Sequence, residues 1–500
     1  MRNRILLFSF IFFVPVFFVA SLPTKEKNIN SALKLSEESE ACLDCHSSVT
    51  PGIVEDWQTS LHSKINLQQA ISKPELEKRV SSNKIQEKFG DKVIGCYECH
   101  SLNADSHKDN FDHFGYRINV IVSPNDCSTC HPIEATQYSE SKKANAIGNL
   151  EENPVYHTLV ETITSTKEFK NGKIVQTKEF ENARSESCYA CHGTKIEVKG
   201  MRSVETDLGE IEIPNLSNWP NHGVGRINPD GSKGACTSCH PRHSFSIEIA
   251  RKPYTCGQCH LEPDVPAYNV YKESKHGNIF ESKKEKWNWT NVPWTVGKDF
   301  SAPTCTSCHN SLLVNSSGDI IAERSHDFGS RLWTRLFGLI YAHPQPKNGN
   351  TSIIRNKDGL LLPTTFTGEN ASEFLISKEE QSARIVKMSK VCQSCHSTTY
   401  ATNHFKKLDK TIEETNKMTL TATQLLLEAW NAGLANKNNP FDETIEIKWI
   451  KQWLLYSNSI RYASAMSGPD YAAFKNGWWD LSNNLAEMKD WIEVHKKIKK

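Results

Sequence analysis

Cys236-Thr237-Ser238-Cys239-His240 and, shortly after it, Cys256-Gly257-Gln258-Cys259-His260 repeat one five-residue pattern. Two thiols three positions apart, followed directly by an imidazole, form the attachment site of a c-type haem. The thiols bond the haem vinyl groups, and the adjacent histidine becomes the proximal ligand of the iron. Six more copies occur, giving the thiol pairs Cys42/Cys45, Cys96/Cys99, Cys127/Cys130, Cys188/Cys191, Cys305/Cys308 and Cys392/Cys395. Their histidines are His46, His100, His131, His192, His309 and His396, alongside His240 and His260. The eight copies use all 16 cysteines of the chain.

Zinc ribbons also pair C-x-x-C knuckles, but zinc does not require a histidine after the second cysteine. With 19 histidines in 500 residues, eight such neighbours by chance have odds on the order of one in 10¹¹. A disulfide framework would leave the eight histidines without a role. The expectation is eight covalently attached haems c.

Arg2 and Arg4 precede an apolar run from Ile5 to Ala20, and Val19-Ala20-Ser21 offers small residues for cleavage. This is the layout of a secretory signal peptide over residues 1–21. Sixteen apolar residues rise only ~24 Å as a helix, short of the ~30 Å hydrocarbon core. The expected location is therefore the periplasm or an equivalent compartment, in solution or held to a membrane partner. A net charge of +1 gives no indication of nucleic acid or an anionic membrane surface. The apolar content of 38 % is low for so long a chain, and eight porphyrins would supply much of the missing core.

The motifs recur at irregular intervals, so the chain is not a tandem array of one module. The intervals are rich in Pro, Gly, Asn and Ser, which predicts short helices and loops wrapped around haems. Beyond His396 the pattern changes. Leu408 to Ala435, Asp442 to Ser467 and Asp470 to Lys500 carry apolar residues at helical spacing, with Asp480 as a helix N-cap. The expected fold is mainly α: a multihaem cytochrome c body over residues 22–400, then a long-helix C-terminal region over 401–500. Trp430, Trp449, Trp453, Trp478, Trp479 and Trp491 are expected to pack those helices together.

A low-spin haem takes a second axial ligand, usually histidine. Trp57 to His62 and Tyr271 to His276 share the pattern aromatic-x-x-Ser-x-His. A third copy, Tyr138 to Ser141, has Lys143 in the histidine's place; a deprotonated lysine can serve as a ligand, but the expectation is a lysine solvated at the surface. The expected distal ligands are His62, His113, His157, His243, His276 and His326. A seventh comes from His222, His107 or His404.

Several strings resemble the hydroxylamine oxidoreductase family of octahaem cytochromes. They include Trp219-Pro220-Asn221, Gly223 to Ser232, Pro241-Arg242-His243, Asn153-Pro154-Val155-Tyr156, Ala302-Pro303-Thr304, His326-Asp327 and Ser467-Gly468-Pro469-Asp470-Tyr471. The resemblance spans about Cys42 to Trp491. It implies a mostly helical homotrimer that moves electrons to or from small nitrogen compounds, with a cytochrome c or a quinone-linked complex as redox partner. It also implies seven bis-histidine haems and an open iron at the fourth, making His192 the proximal ligand of the catalytic haem.

Two departures bear on the direction of that chemistry. Where the family carries Gly-Pro-Asp-His-Pro after the sixth motif, this chain has Glu262-Pro263-Asp264-Val265-Pro266. The acid is kept as Asp264, but its imidazole partner has become Val265, which can neither donate nor accept a proton. Oxidising members also bond a tyrosine to the catalytic haem just before the Gly-Pro-Asp string. Here Ala465-Met466 stands at that place, with Tyr462 and Tyr471 out of register. Two functions follow: reduction of nitrite, nitric oxide or hydroxylamine at an open fourth haem, with Asp264 as proton donor, or a non-catalytic multihaem electron-transfer subunit.

Overall fold

The computed structural model describes residues 34–499 except 85, 87, 88, 180, 207 and 208. The signal segment expected over residues 1–21 lies outside the described residues. Within them no helix is long and apolar enough to cross a membrane. Up to His396 the chain forms short helices and small two- or three-stranded sheets. After it come long helices. The mainly α architecture expected from the sequence is thus the one observed.

The 34-residue helix Thr398–Asn431 is the longest element. It starts where the Ser397 side chain accepts the Tyr400 N–H at 3.2 Å, satisfying one of the free donors of its first turn. Thr415, Thr419, Ala422, Leu426 and Ala429 recur at helical spacing and are buried. Against this stripe pack Ile445, Trp449 and Trp453 from one side and Met488 and Ile492 from the other. The small Thr and Ala side chains let the partner helices approach closely, and the indoles fill the space left over. Truncating a core position such as Leu426 to alanine costs about 2–5 kcal/mol.

Trp430 and Trp491 flank this core as expected, but Trp479 is 68 % exposed. The last helix, Trp478–Lys499, begins two residues before Asp480. Asp480 therefore lies within the first turn, where its charge still complements the helix dipole, and is not the cap.

Two hairpins depart from the expected helices and loops. Ser165–Lys170 pairs antiparallel with Lys173–Glu179, and Glu197–Thr206 with Gly209–Ser217. The first is closed by Asn171-Gly172, both at positive φ (52° and 77°), the conformation that two-residue hairpin turns require.

One irregularity positions the region discussed next. Between the helices Thr444–Ile450 and Ser457–Met466 the chain passes through a π-helical segment, Lys451–Tyr456. Such insertions shift the register of everything downstream. Here the downstream helix carries Asn458, Arg461 and Tyr462. Arg461 is fully buried, donating to Thr415 Oγ1 at 2.9 Å and Asn416 Oδ1 at 2.7 Å, and burial pulls its guanidinium down to about 9. These bonds fasten the helix to the long one behind it.

Candidate haem sites and the fourth-motif pocket

Each C-x-x-C-H motif is a single turn of helix or near-helix. The histidine N–H reaches back to the first cysteine carbonyl, at 2.9 Å in His131, His260 and His396 and 3.0 Å in His240. One turn brings positions i, i+3 and i+4 to a common side, which is the geometry that two thioether bonds and an axial ligand need. All 16 thiols are free of disulfides.

Cys45, Cys259 and Cys395 are exposed, whereas their motif partners Cys42, Cys256 and Cys392 are partly covered. Each exposed thiol is the second cysteine of its motif. Cys45 lies in the helix Glu37–Val49 with the exposed Asp44 and Ser47 on either side of its motif pair with His46. Cys395 sits in the short turn between the helices Lys378–Gln393 and Thr398–Asn431. A thioether needs only the vinyl carbon against the sulfur, so the protein need not cover these atoms.

The proximal imidazoles are oriented through Nδ1. His100 donates to Asn119 O at 2.7 Å, His192 to Ala146 O at 3.2 Å and His309 to Phe328 O at 3.3 Å, while His46 Nδ1 is 2.8 Å from Thr50 Oγ1. Holding one ring nitrogen fixes the tautomer and leaves Nε2 for a metal.

Three imidazole pairs face one another: His46 with His113 at 6.3 Å between ring centroids, His131 with His62 at 6.5 Å, and His396 with His276 at 6.1 Å. With metal–nitrogen bonds of about 2 Å, two imidazoles sharing one iron hold their centroids about 6 Å apart. Burial, then the neighbouring His326, pulls His240 down to about 4. Burial, then His100, does the same to His243. The buried Nδ1 atoms of His62 and His326 have no hydrogen-bond partner.

The other histidines are placed differently. His157 sits between carboxylates, Nε2 at 3.3 Å from Glu161 and Nδ1 at 3.7 Å from Glu151. The exposed His222 ring lies 3.0 Å from Arg242 Nη2. His107 has both nitrogens engaged, Nδ1 with Asp109 and Nε2 with Asp126, each at 3.1 Å. His404 contacts Ala465 O through Nε2 at 3.0 Å. His343 was not among the sequence candidates. Its Nε2 is buried without a partner, while Nδ1 is held by Pro344 O at 2.7 Å.

A single apolar cavity of about 1240 Å³ is lined by His46, His100, His131 and His240 with cysteines of their motifs. His62, His113, His243 and His326 line it as well. Ordinary small-molecule pockets run to ~300–1,000 Å³. A large greasy space bordered by free thiols and facing imidazoles fits haem. The motifs also adjoin one another: the thiols of Cys127 and Cys236, of Cys191 and Cys259, and of Cys256 and Cys305 are neighbours. The sixth motif therefore contacts both the fourth and the seventh.

Around the fourth motif the environment is distinct. Burial raises the Asp264 carboxyl above its ordinary range, against the pull of the Asp264 and Val265 backbone N–H groups and of His192. Its charge acts in turn on Cys188, Cys191 and His192. Two phenols, Tyr156 and Tyr462, are raised by burial, and both sense Arg335 and Asp264. Asn458 Nδ2 donates to the Asp264 carbonyl at 3.4 Å. Tyr462 lies one turn beyond Asn458 on the same helix, so one helix brings both to this site. The sequence reading noted Tyr462 only as a residue out of register and gave Arg335 no role, since neither is marked by a local motif.

Residues 229–326 match the family model described as seven times multi-haem cytochrome CxxCH. Residues 41–115 and 126–211 match that of cytochrome c554 and c-prime. A curated relative from Kuenenia stuttgartiensis, named a probable nitrite reductase-hydroxylamine oxidoreductase fusion protein, is 24 % identical over 418 residues. The match takes in 81 % of this chain but only 39 % of that protein's length. A solved structure titled hypothetical multiheme protein is 44 % identical, with a TM-score of 0.87, covering 93 % of this chain and 97 % of its own. The Kuenenia stuttgartiensis reducing HAO-like protein complex Kustc0457/Kustc0458 shares the fold at 18 % identity and a TM-score of 0.55, over 93 % of this chain and 86 % of its own. The chain belongs to the multihaem cytochromes c.

Proposed function

We propose that this chain carries eight haems c and reduces a small nitrogen compound, such as nitrite, nitric oxide or hydroxylamine, at the fourth of them. The observation that carries this reading is the convergence of Asp264, Tyr156 and Tyr462 on the motif of Cys188, Cys191 and His192. When bound there, a haem with an open sixth position would supply the nitrogen-binding iron, and the other haems would supply electrons. The protein's part is to bring protons. Asp264, desolvated and raised, gives up its proton less readily than an exposed carboxylate does, which suits it to act as the acid here. Tyr156 and Tyr462 stay protonated for the same reason and can donate hydrogen bonds. Arg335 contributes positive charge suited to an anion such as nitrite.

Reduction of N-oxides consumes protons, whereas oxidation needs a base that accepts several. Val265 in place of an imidazole removes the group best suited to that second task near neutral pH. The same substitution, with Ala465-Met466 where oxidising relatives are expected to have tyrosine, favours a second reading: an electron-transfer subunit with an idle fourth haem. Under either reading the chain is exported, its leader removed near Leu22, and assembles as a homotrimer exchanging electrons with a cytochrome c or a quinone-linked complex. The leader rests on Arg2, Arg4 and the apolar run to Ala20, and the trimer on the family resemblance.

The test is electron paramagnetic resonance of the isolated protein, followed by carbon monoxide titration of the reduced form and turnover with a reduced viologen. One high-spin iron that binds carbon monoxide, with N-oxide turnover, supports the reductase. No carbon monoxide binding and no turnover of any N-oxide decides for the carrier.

A further inference from the structure

The three copies of the aromatic-x-x-Ser pattern fold alike. Ser60, Ser141 and Ser274 each donate their N–H to the carbonyl of the aromatic residue three positions earlier, at 2.9, 3.0 and 3.0 Å. Each serine Oγ then accepts the N–H three residues on, from Ser63 at 3.4 Å, Ala144 at 3.4 Å and Gly277 at 3.1 Å. The aromatic anchors Trp57, Tyr138 and Tyr271 and all three serines are buried. One local frame is thus built three times, and in each the sixth residue is aimed the same way. In two copies that residue is a histidine facing a proximal imidazole: His62 toward His131 and His276 toward His396.

In the third copy the sixth residue is Lys143, and it is not on the surface. Its Nζ lies 3.3 Å from His260 Nε2, the ring nitrogen that the sixth motif offers to a metal. The chain around it is closed, with Ala144 fully buried and the Lys143 side chain half-buried over the Phe328 ring, Nζ at 5.1 Å from its centroid. Ligand nitrogens on opposite sides of one iron stand about 4 Å apart, so admitting a metal needs a separation of less than about 1 Å, within reach of a four-carbon stem.

We propose that Lys143 is the distal axial ligand of the haem attached at Cys256 and Cys259, giving one histidine–lysine haem among bis-histidine neighbours. The ammonium releases one proton to solvent, and the resulting amine donates its nitrogen lone pair as the bond to iron forms. Axial-ligand identity is one of the main controls of haem potential. The sixth motif touches both the fourth and the seventh through Cys259–Cys191 and Cys256–Cys305. The differently ligated haem therefore stands at the junction between the candidate substrate site and the rest of the array. The assignment requires haem at His260 but not catalysis, and its test reads no turnover.

The experiment is near-infrared magnetic circular dichroism and electron paramagnetic resonance of the ferric, haem-loaded protein. The wild type should show one histidine–lysine charge-transfer band. Lys143→Ala should lose it, gain one high-spin iron, and bind one more carbon monoxide per reduced chain. Lys143→His should restore the low-spin count with a bis-histidine signature. Lys143→Arg should behave like the alanine variant, because a guanidinium keeps the charge but cannot ligate. Unchanged low-spin counts in the alanine and arginine variants, or no such band in the wild type, would overturn the assignment. Should the alanine variant fail to accumulate, the wild-type band and the histidine variant decide.

Discussion

Asn458, on the C-terminal helix that follows the π-helical segment, holds the backbone carbonyl of Asp264 from 194 positions away in sequence. The acid of the fourth-motif pocket is thereby placed by the C-terminal bundle as well as by its own loop. Asp264→Asn should lower viologen-driven reduction of nitrite or hydroxylamine by the ~10²–10⁴ typical of a lost acid–base group. Val265→His should raise hydroxylamine oxidation. An Asp264→Asn protein that turns over at the wild-type rate would remove Asp264 from the mechanism.

Stoichiometry is the plainest check. Pyridine haemochrome assay with intact mass should give eight haems per chain and a mature terminus near Leu22. Fewer than seven haems, or stoichiometric zinc, would overturn the reading of the motifs.

The facing imidazoles give a spectroscopic prediction. Replacing His62, His113 or His276 by alanine should each convert one low-spin haem to high spin, with the total unchanged. A variant that keeps every low-spin signal would show that its histidine faces the proximal ring without sharing an iron.

His107 should matter for stability and not for haem. Burial opposes its charge, but the hydrogen bonds of Asp109 and Asp126 outweigh that and hold the imidazolium up at about 10. A histidine raised in the fold contributes stability that is full below its unfolded value of ~6.5 and is lost as pH rises through the folded value. The denaturation midpoint should therefore fall between about pH 6.5 and 10. His107→Ala should flatten that fall and cost about 3–5 kcal/mol at neutral pH, as buried pairs do when one partner is removed. Absorbance and spin states should not change.

Glu446 gives the opposite test in the C-terminal bundle. Burial raises it to about 7 despite hydrogen bonds from Trp430 Nε1 at 2.8 Å and the Glu443 N–H at 3.0 Å. A carboxyl raised in the fold binds its proton more tightly there than in the unfolded chain. Stability then declines as pH rises from ~4.5 through 7. Glu446→Gln should match the wild type at pH 4.5 and exceed it at pH 8, measured by thermal unfolding.

Much of this molecule is legible without coordinates because haem attachment is written locally: five consecutive residues give thiols, spacing and proximal ligand. The C-terminal helices are legible for the same reason, as their apolar period runs unbroken. What pairs across space is not written that way. The pattern ending at His62 is visible in the chain, yet nothing local says it faces His131. Lys143 reads as a surface lysine by residue type, and only the fold shows the turn aiming it at His260. Tyr462 meets Asp264 from a helix far along the chain, a neighbourhood that no periodicity announces. The hairpin turn at Asn171-Gly172, by contrast, is written locally, in two residues that tolerate positive φ.

The cavity of about 1240 Å³ is one space shared by four attachment motifs. A haem absent from any one of them would leave its neighbours bordering a void, and unfilled core volume is costly. Errors of loading are thus shared across the body and do not stay at a single motif. Chains recovered from cells should carry a full complement or be missing altogether, without a graded ladder of partly loaded forms between.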